Sequence, residues 1–337
     1  MKVNNYIFLI DGSEYREMYQ CMLADVDRRE DVSQVIDEKK TSLTKKILLK
    51  RKAVSLLKGK LDFLAFEKNA LYREIESTYK ADSITVVIFF NAALHYNSYL
   101  VGTLKKYKKK WPNLRYIVLY TDIMNVPVSK NADYLRSKGI FDLVYTIENK
   151  DALETNSILW RTLYSRKEEY THIEPKSDIY FCGVAKRREL TISQVFNEAL
   201  RNNISISADI ICEQDTNAEM LSGFDNGIKL HNSFITYDSI LKKELKSNCL
   251  LEIIQPGQEA LTLRAYEAVV YGRKLLTNCK GIFDFPYYDD RYMHYFDHVK
   301  DIDWNWVKGR NEIEYHYEDS FSPIALINDI ETRLKEV

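Results

Sequence analysis

QPGQEALTLRAYEAVVYGRKLLTN, residues Gln255 to Asn278, follows directly on the apolar run Leu250–Ile254. Pro256-Gly257 predicts a turn, a helix from about Leu261 to Tyr271 comes next, and Gly272 stands where helices end on a left-handed residue. Leu275-Leu276-Thr277 then re-enters a sheet. Strand, helix and strand in this order form the βαβ unit of a parallel sheet. The helix start offers backbone N–H groups and the positive end of the helix dipole, which suit a phosphate. Thr262 adds a hydroxyl and Arg264 a cation. Glu267, a turn further in, can accept hydrogen bonds from ribose hydroxyls. A plain crossover with solvated charges fits the same pattern equally well.

The rest of the chain repeats this rhythm. Short apolar, β-branched or aromatic runs occur at Tyr6–Ile10, Ile84–Phe90, Tyr116–Tyr120, Leu143–Ile147, Asp178–Cys182, Ser207–Cys212 and Lys274–Thr277. Near-continuous apolar runs of this length are typical of strands buried on both faces of a parallel sheet. Amphipathic helical segments fall between them, at Ser98–Trp111, Leu190–Asn202 and Ser239–Leu245. A charged bridge over 148–176, with a helical piece at Ala152–Tyr164, separates two such series. The expected organisation is an N-terminal domain over 1–176, a C-terminal domain over 177–321 and a last helix within 322–337 that packs back on the N-terminal domain. The fold class is α/β, two Rossmann-like domains facing a central cleft. Open parallel sheets bind ligands at the carboxyl ends of their strands.

Composition removes several function classes. With 48 basic and 49 acidic residues the formal charge is −1, without the basic excess of a nucleic-acid-binding protein. The five cysteines are scattered and show no metal-ligand spacing, so they read as reduced thiols. No Gly-rich phosphate loop or dinucleotide fingerprint occurs, which sets aside kinases and dehydrogenases, and there is no Gly-x-Ser-x-Gly elbow. The first apolar run is too short for a signal peptide, so a cytoplasmic location is expected. Lys39–Lys60 holds nine basic and no acidic residues. Its Leu43, Ile47, Leu48, Val54 and Leu57 suit one helix face, as in helices that lie on anionic membranes. A solvated helix balanced by the acidic run Asp25–Glu38 fits as well. The aromatic stretch Phe283–Tyr295 suits either stacking on a base or sugar or a buried loop.

The segment Gln255–Asn278 resembles the donor-binding loop and helix of GT-B glycosyltransferases. In retaining members two glutamates stand eight positions apart, followed by Ala, Gly and an apolar strand ending in Thr-Asn. Glu259 and Glu267 have that spacing, with Ala268, Gly272 and Leu275-Leu276-Thr277-Asn278 in register. LTLRAYEAVVYGRKLLTN also looks like a group of bacterial capsule and lipopolysaccharide glycosyltransferases, and DIYFCGVAKRRE (Asp178–Glu189) like the start of their second domain. One departure is Leu261-Thr262 where the family carries Phe-Gly, which keeps inverting and retaining chemistry both in play. The resemblance covers about Asp178 to Phe296 well and the first half in outline.

The resemblance implies a glycosyltransferase of the hexosyltransferase class. Its donor is a nucleotide-sugar, UDP- or GDP-linked, with no cofactor or metal required. Its acceptor is a surface glycan, lipid-linked, reached at the inner face of the membrane through Lys39–Lys60. The implied donor residues are Gly183, Lys186 and Arg187 near the diphosphate; Gly257, Gln258, Glu259, Thr262, Leu263 and Arg264 along the loop and helix start; and Glu267 at the ribose. An inverting enzyme needs a base for the acceptor hydroxyl. Asp11, His95 and Asp122, each after a first-half strand, are the candidates. A non-catalytic nucleotide-sugar-binding protein and a sugar-nucleotide epimerase of the same shape are the alternatives.

Overall fold

The computed structural model describes residues 2–12, 16–37, 69–94, 101–126, 129–171, 173–213, 215–221, 223–224, 227–255 and 258–336. They form two compact units, one of residues 1–165 with 322–337 and one of residues 166–321. Each is a Rossmann-like domain around a six-stranded sheet whose neighbouring strands all run parallel.

The first unit contains Val3–Asp11 (β1), Arg16–Met22 (α1), Val32–Asp37 (β2), Ala70–Thr78 (α2), Ile84–Phe90 (β3), Val101–Lys110 (α3), Leu114–Tyr120 (β4), Lys130–Ser137 (α4), Leu143–Thr146 (β5), Asn149–Thr155 (α5) and Ile158–Leu159 (β6). The sheet order is β2-β1-β3-β4-β5-β6. Ile7 lies opposite Val87, and Val87 opposite Tyr116. Every residue of β3 is buried, as its unbroken apolar sequence requires. Asn69 caps α2 by accepting from the Tyr72 amide at 2.7 Å. The bridge forms a shorter helix than its sequence predicts. Asn156 takes a left-handed conformation (φ 52°), ends α5 at Thr155, and lets Ile158–Leu159 pair with β5.

The second unit contains Ser177–Val184 (β7), Glu189–Arg201 (α6), Ile206–Ile211 (β8), Ile228–His231 (β9), Tyr237–Glu244 (α7), Ser247–Glu252 (β10), Leu263–Tyr271 (α8), Lys274–Thr277 (β11), Met293–Tyr295 (β12) and Trp304–Lys308 (α9). Its strand order is β12-β11-β10-β7-β8-β9, so the direction of winding reverses between β7 and β10. Alternate residues of a strand face opposite sides of a sheet. Here the two sides differ in chemistry. Ile179, Phe181, Ala208, Ile210, Cys249 and Leu251 pack with Ile192, Val195, Phe196 and Ala199 of α6 in an apolar core. The side packed by α7 and α8 carries Tyr180, Cys182, Asp209 and Glu252 among its buried residues.

The final helix Pro323–Leu334 (α10) belongs to the first unit. Ser322 caps it, and the Ser322 hydroxyl donates to Asp25 at 2.6 Å. Tyr6 and Tyr145 donate to Glu331 (2.6 Å) and Asp329 (2.7 Å) on its buried side. The second unit begins at Arg166, upstream of Lys176, because the intervening segment is tied to it. The Lys167 amide donates to the Tyr271 hydroxyl (3.1 Å), Arg273 donates to the Ile173 carbonyl, and Tyr170 and Lys167 both bind Asp238. Among the described residues no helix is long and apolar enough to cross a membrane.

Candidate functional site

The reversal between β7 and β10 brings residues 185–188 together with residues 253–255 and 258–262 at the carboxyl ends of these strands. Open α/β sheets bind ligands at such a point. Arg188 spans it. Its guanidinium donates to the carbonyls of Val184 at the end of β7 and Ile253 beyond β10, and its Nε to that of Ala185 at 3.3 Å. The side chain is buried, and among the described residues no carboxylate forms an ion pair with it. Burial pulls its pKa down to about 10. Glu189 and Glu252 act on this buried cation from beyond ion-pair distance, and its direct hydrogen-bond partners are carbonyls, so it can still take an anionic ligand. Lys186 and Arg187, next to it, are exposed in consecutive left-handed conformations (φ 37° and 63°). Non-glycine residues adopt that region at a cost of about 1–3 kcal/mol, in turns and helix ends and also at active sites and ligand clamps.

The second loop is held from below. The Cys279 thiol donates to the Glu259 carbonyl at 3.1 Å, and a Cβ on Gly281 would lie 2.5 Å from the same oxygen. Only glycine admits that approach. The Glu259 side chain is exposed, and Gln258 donates to the Ala260 carbonyl at 2.9 Å. Glu252, at the end of β10, accepts from the Thr262 amide (2.6 Å) and the Thr277 hydroxyl (2.5 Å). Burial raises the pKa of this carboxyl, and those two donors partly offset the rise. The Thr262 hydroxyl, expected at a phosphate, caps α8 by accepting from the Arg264 amide at 3.3 Å. Leu263 opens the helix half-buried. Gly272 ends it with φ 60°.

Behind the loop lies a buried ionic cluster. Glu267 is fully buried; one carboxylate oxygen accepts from the Tyr237 hydroxyl and the other from Arg264. The expected use of Arg264 as a phosphate cation is corrected here. Its guanidinium lies between Glu267 and Glu244, with Nε 2.6 Å from Glu244 Oε1. Desolvation lowers the pKa of Arg264, but the two carboxylates outweigh it and hold the group charged. Burial and the neighbouring Glu267 drive that of Glu244 well up, against the opposing pull of Arg264. Further along the same sheet face, buried Asp209 accepts from Lys243 (2.8 and 2.7 Å) and Tyr180 (2.8 Å), with His231 Nε2 at 2.7 Å. Between the two groups the Cys182 thiol is pushed up to about 12 by burial. Buried ionisable clusters are weak stabilisers and concentrate at functional sites.

The remaining sequence candidates are placed less fully. Asp122 is exposed after β4 and accepts from the Ile123 amide at 2.8 Å. Asp11 ends β1, with its side chain outside the described residues, as are His95, Gly257 and Lys39–Lys60. Among the described residues no group of His, Cys, Asp and Glu is arranged to hold a metal ion. Arg188, Tyr237, Glu244 and Glu252 were missed by the sequence reading. Arg188 had a usable signal, since it directly follows the basic pair that was noted. Glu244 sits in an ordinary-looking Lys-Lys-Glu helix end, and nothing in the sequence shows that it points inward.

No protein-family profile and no curated protein matches the chain. Solved structures do. A putative UDP-N-acetylglucosamine 2-epimerase from Listeria monocytogenes superposes with a TM-score of 0.50 at 8% identity, over 100% of this chain and 98% of that one. A glycosyltransferase from Rickettsia africae ESF-5 gives 0.48 at 10% identity, over 89% and 86%. TarM gives 0.42 at 14% identity over 70% of this chain, which spans 49% of TarM. At 8% identity the superposition on the Listeria protein is a likeness of fold alone, and it agrees with two Rossmann-like domains.

Proposed function

We propose that the protein is a glycosyltransferase that binds a nucleotide-sugar, UDP- or GDP-linked, at the carboxyl ends of β7 and β10. The single observation that carries this reading is Arg188, a buried guanidinium without a carboxylate partner, bridging the two strands at which the sheet order reverses. The diphosphate lies against Arg188 with Lys186 or Arg187 beside it, near the start of α8. When the glycosidic bond breaks, negative charge grows on the leaving diphosphate. Preorganised donors at such a charge are worth about 3–4 kcal/mol each. The sugar lies over the loop at Gln258 and Glu259. The ribose end reaches Glu267, where a ribose hydroxyl takes the place of the Tyr237 hydroxyl, one O–H donor for another. The first unit binds the acceptor, a surface glycan on a lipid carrier, with Asp11, His95 and Asp122 as the candidate bases and Lys39–Lys60 at the anionic membrane. A thermal-shift screen against UDP, GDP, CMP and their sugars tests the reading. UDP or GDP is expected to raise the melting temperature, and no shift with any nucleotide would remove the donor site. Turnover of a nucleotide-sugar to a new sugar-nucleotide without an acceptor would point instead to an epimerase. Binding without turnover would mark a regulatory protein.

A further inference from the structure

Arg264 is one cation set between two carboxyl groups, Glu244 at the end of α7 and Glu267 within α8, both fully buried. The two carboxyls are not treated alike. Glu267 has a hydrogen-bond donor on each oxygen. Glu244 has the charge of Arg264 close by, at 2.6 Å, but among the described residues no donor is aimed at either of its oxygens, and Arg264 Nε points its hydrogen elsewhere. A buried carboxylate without donors is costly, whereas a buried carboxylic acid is itself a donor. The Glu267 carboxylate, bound to the same guanidinium, is an acceptor for its proton.

We infer that Glu244 is a positioning residue: a neutral carboxylic acid that donates to Glu267 and, with Arg264, fixes the Glu267 carboxylate in the orientation that receives the ribose. This rests on the donor-site reading of Glu267. Other ionisable groups facing the pair are Tyr237 on α7, Tyr180 and Cys182 on β7, and Glu252 on β10 beside Arg264. Tyr180 and Cys182 are themselves held neutral by burial. When Glu244 loses its proton, two adjacent carboxylates compete for one guanidinium, and Glu267 turns.

The full-length protein and its Glu244→Gln, Glu244→Ala and Glu267→Ala variants test this, with UDP and GDP as probes in calorimetric titrations from acidic to alkaline pH. Wild type is expected to lose affinity on the alkaline side. Glu244→Gln, still a neutral donor, should bind as wild type does at neutral pH and lose the alkaline decline. Glu244→Ala should weaken binding about tenfold. Infrared difference spectra of wild type against Glu244→Gln should show a protonated carboxyl band that the variant lacks. An alkaline decline that persists in Glu244→Gln, or unchanged affinity in Glu244→Ala, overturns the inference, as does absence of the carboxyl band. Failure of the underlying reading looks different: Glu267→Ala binds nucleotide as wild type does, or wild type binds none, whatever the infrared band shows.

Discussion

The guanidinium of Arg188 lies against Gly183, so closely that a Cβ at position 183 would sit 3.0 Å from Nη2. The glycine at the end of β7 and the arginine at the start of α6 therefore act together: the missing side chain is the space that the cation occupies. Phe181 lies under the same guanidinium, 5.8 Å from its ring centre.

Arg188→Ala is expected to weaken UDP or GDP binding about a hundredfold, the usual scale for removing a desolvated charge partner. Gly183→Ala should do less, about tenfold or below, because the end of a long side chain can shift by a few tenths of an ångström. Titration calorimetry on both variants checks the order. Equal affinities in wild type and Arg188→Ala would take the diphosphate away from this loop.

Glu267→Ala should abolish both the thermal shift with nucleotide and turnover. It also removes one partner from a buried ion cluster, which typically costs about 3–5 kcal/mol. Without Glu267 beside it Glu244 can release its proton and become the counter-ion of Arg264, so the protein is expected to fold with a lowered denaturation midpoint. Circular dichroism against denaturant separates that loss from the loss of binding. A variant that binds nucleotide normally but is less stable would make Glu267 purely architectural.

The residues of the central strands made the fold legible. Ile84–Phe90 and Leu250–Ile254 are apolar at every or nearly every position, which only a two-sided burial explains. Strands at or near the sheet edges were missed. Val32–Asp37, Ile228–His231 and Met293–Tyr295 mix polar and apolar residues because at least one of their faces meets solvent. At the site, the helix and closing glycine of Gln255–Asn278 were readable because each follows from local chemistry. The roles of Thr262 and Arg264 were not, since they depend on Glu252 and Glu244, ten and twenty residues upstream in the chain. Sequence spacing identifies who shares a helix face; it does not identify who waits opposite.

Tyr237→Phe gives an outcome of unusual sign. The Tyr237 hydroxyl donates to Glu267, and in the proposed donor site a ribose hydroxyl takes that place. Removing it costs the fold about 1 kcal/mol, a typical net hydrogen bond. The ribose then has no competitor, so nucleotide affinity is expected to hold or to rise by up to about fivefold. Paired melting and binding measurements read both effects. A large loss of affinity would mean that Tyr237 contacts the nucleotide itself.

Glu252 and Glu244 set the direction of the pH dependence. Both have pKa values raised by burial. Between the usual glutamate value and the higher folded value, the native state keeps a proton that the unfolded chain has released. Stability contributed by these groups is thus complete below the unfolded pKa and is lost as pH rises through the folded one. Glu252→Gln keeps an acceptor for the Thr262 amide but sets an amide donor where the Thr277 hydroxyl found an acceptor, so the variant should be less stable, and urea denaturation across that range should show a shallower decline than wild type. A slope unchanged in both Glu252→Gln and Glu244→Gln would assign the pH dependence to other groups.

The basic segment Lys39–Lys60 makes a prediction about place. Near an anionic surface each Lys or Arg contributes about 1 kcal/mol. Neutralising Lys45, Lys46, Lys50, Arg51 and Lys52 together should then reduce co-sedimentation with anionic liposomes by a factor on the order of a thousand. Neutral liposomes should recover little of either protein. The attraction is screened over about 10 Å at 0.1 M salt, so wild-type binding should fall steeply as salt is added. If the segment instead neutralises the acidic run before it, competition comes from within the chain. That run has some of its charge occupied already: Arg29 pairs with Asp31 at 2.7 Å, and Asp27 accepts from Gln34. The variant would then lose stability while its sedimentation stays the same, and acceptor delivery would have to be sought elsewhere on the first unit.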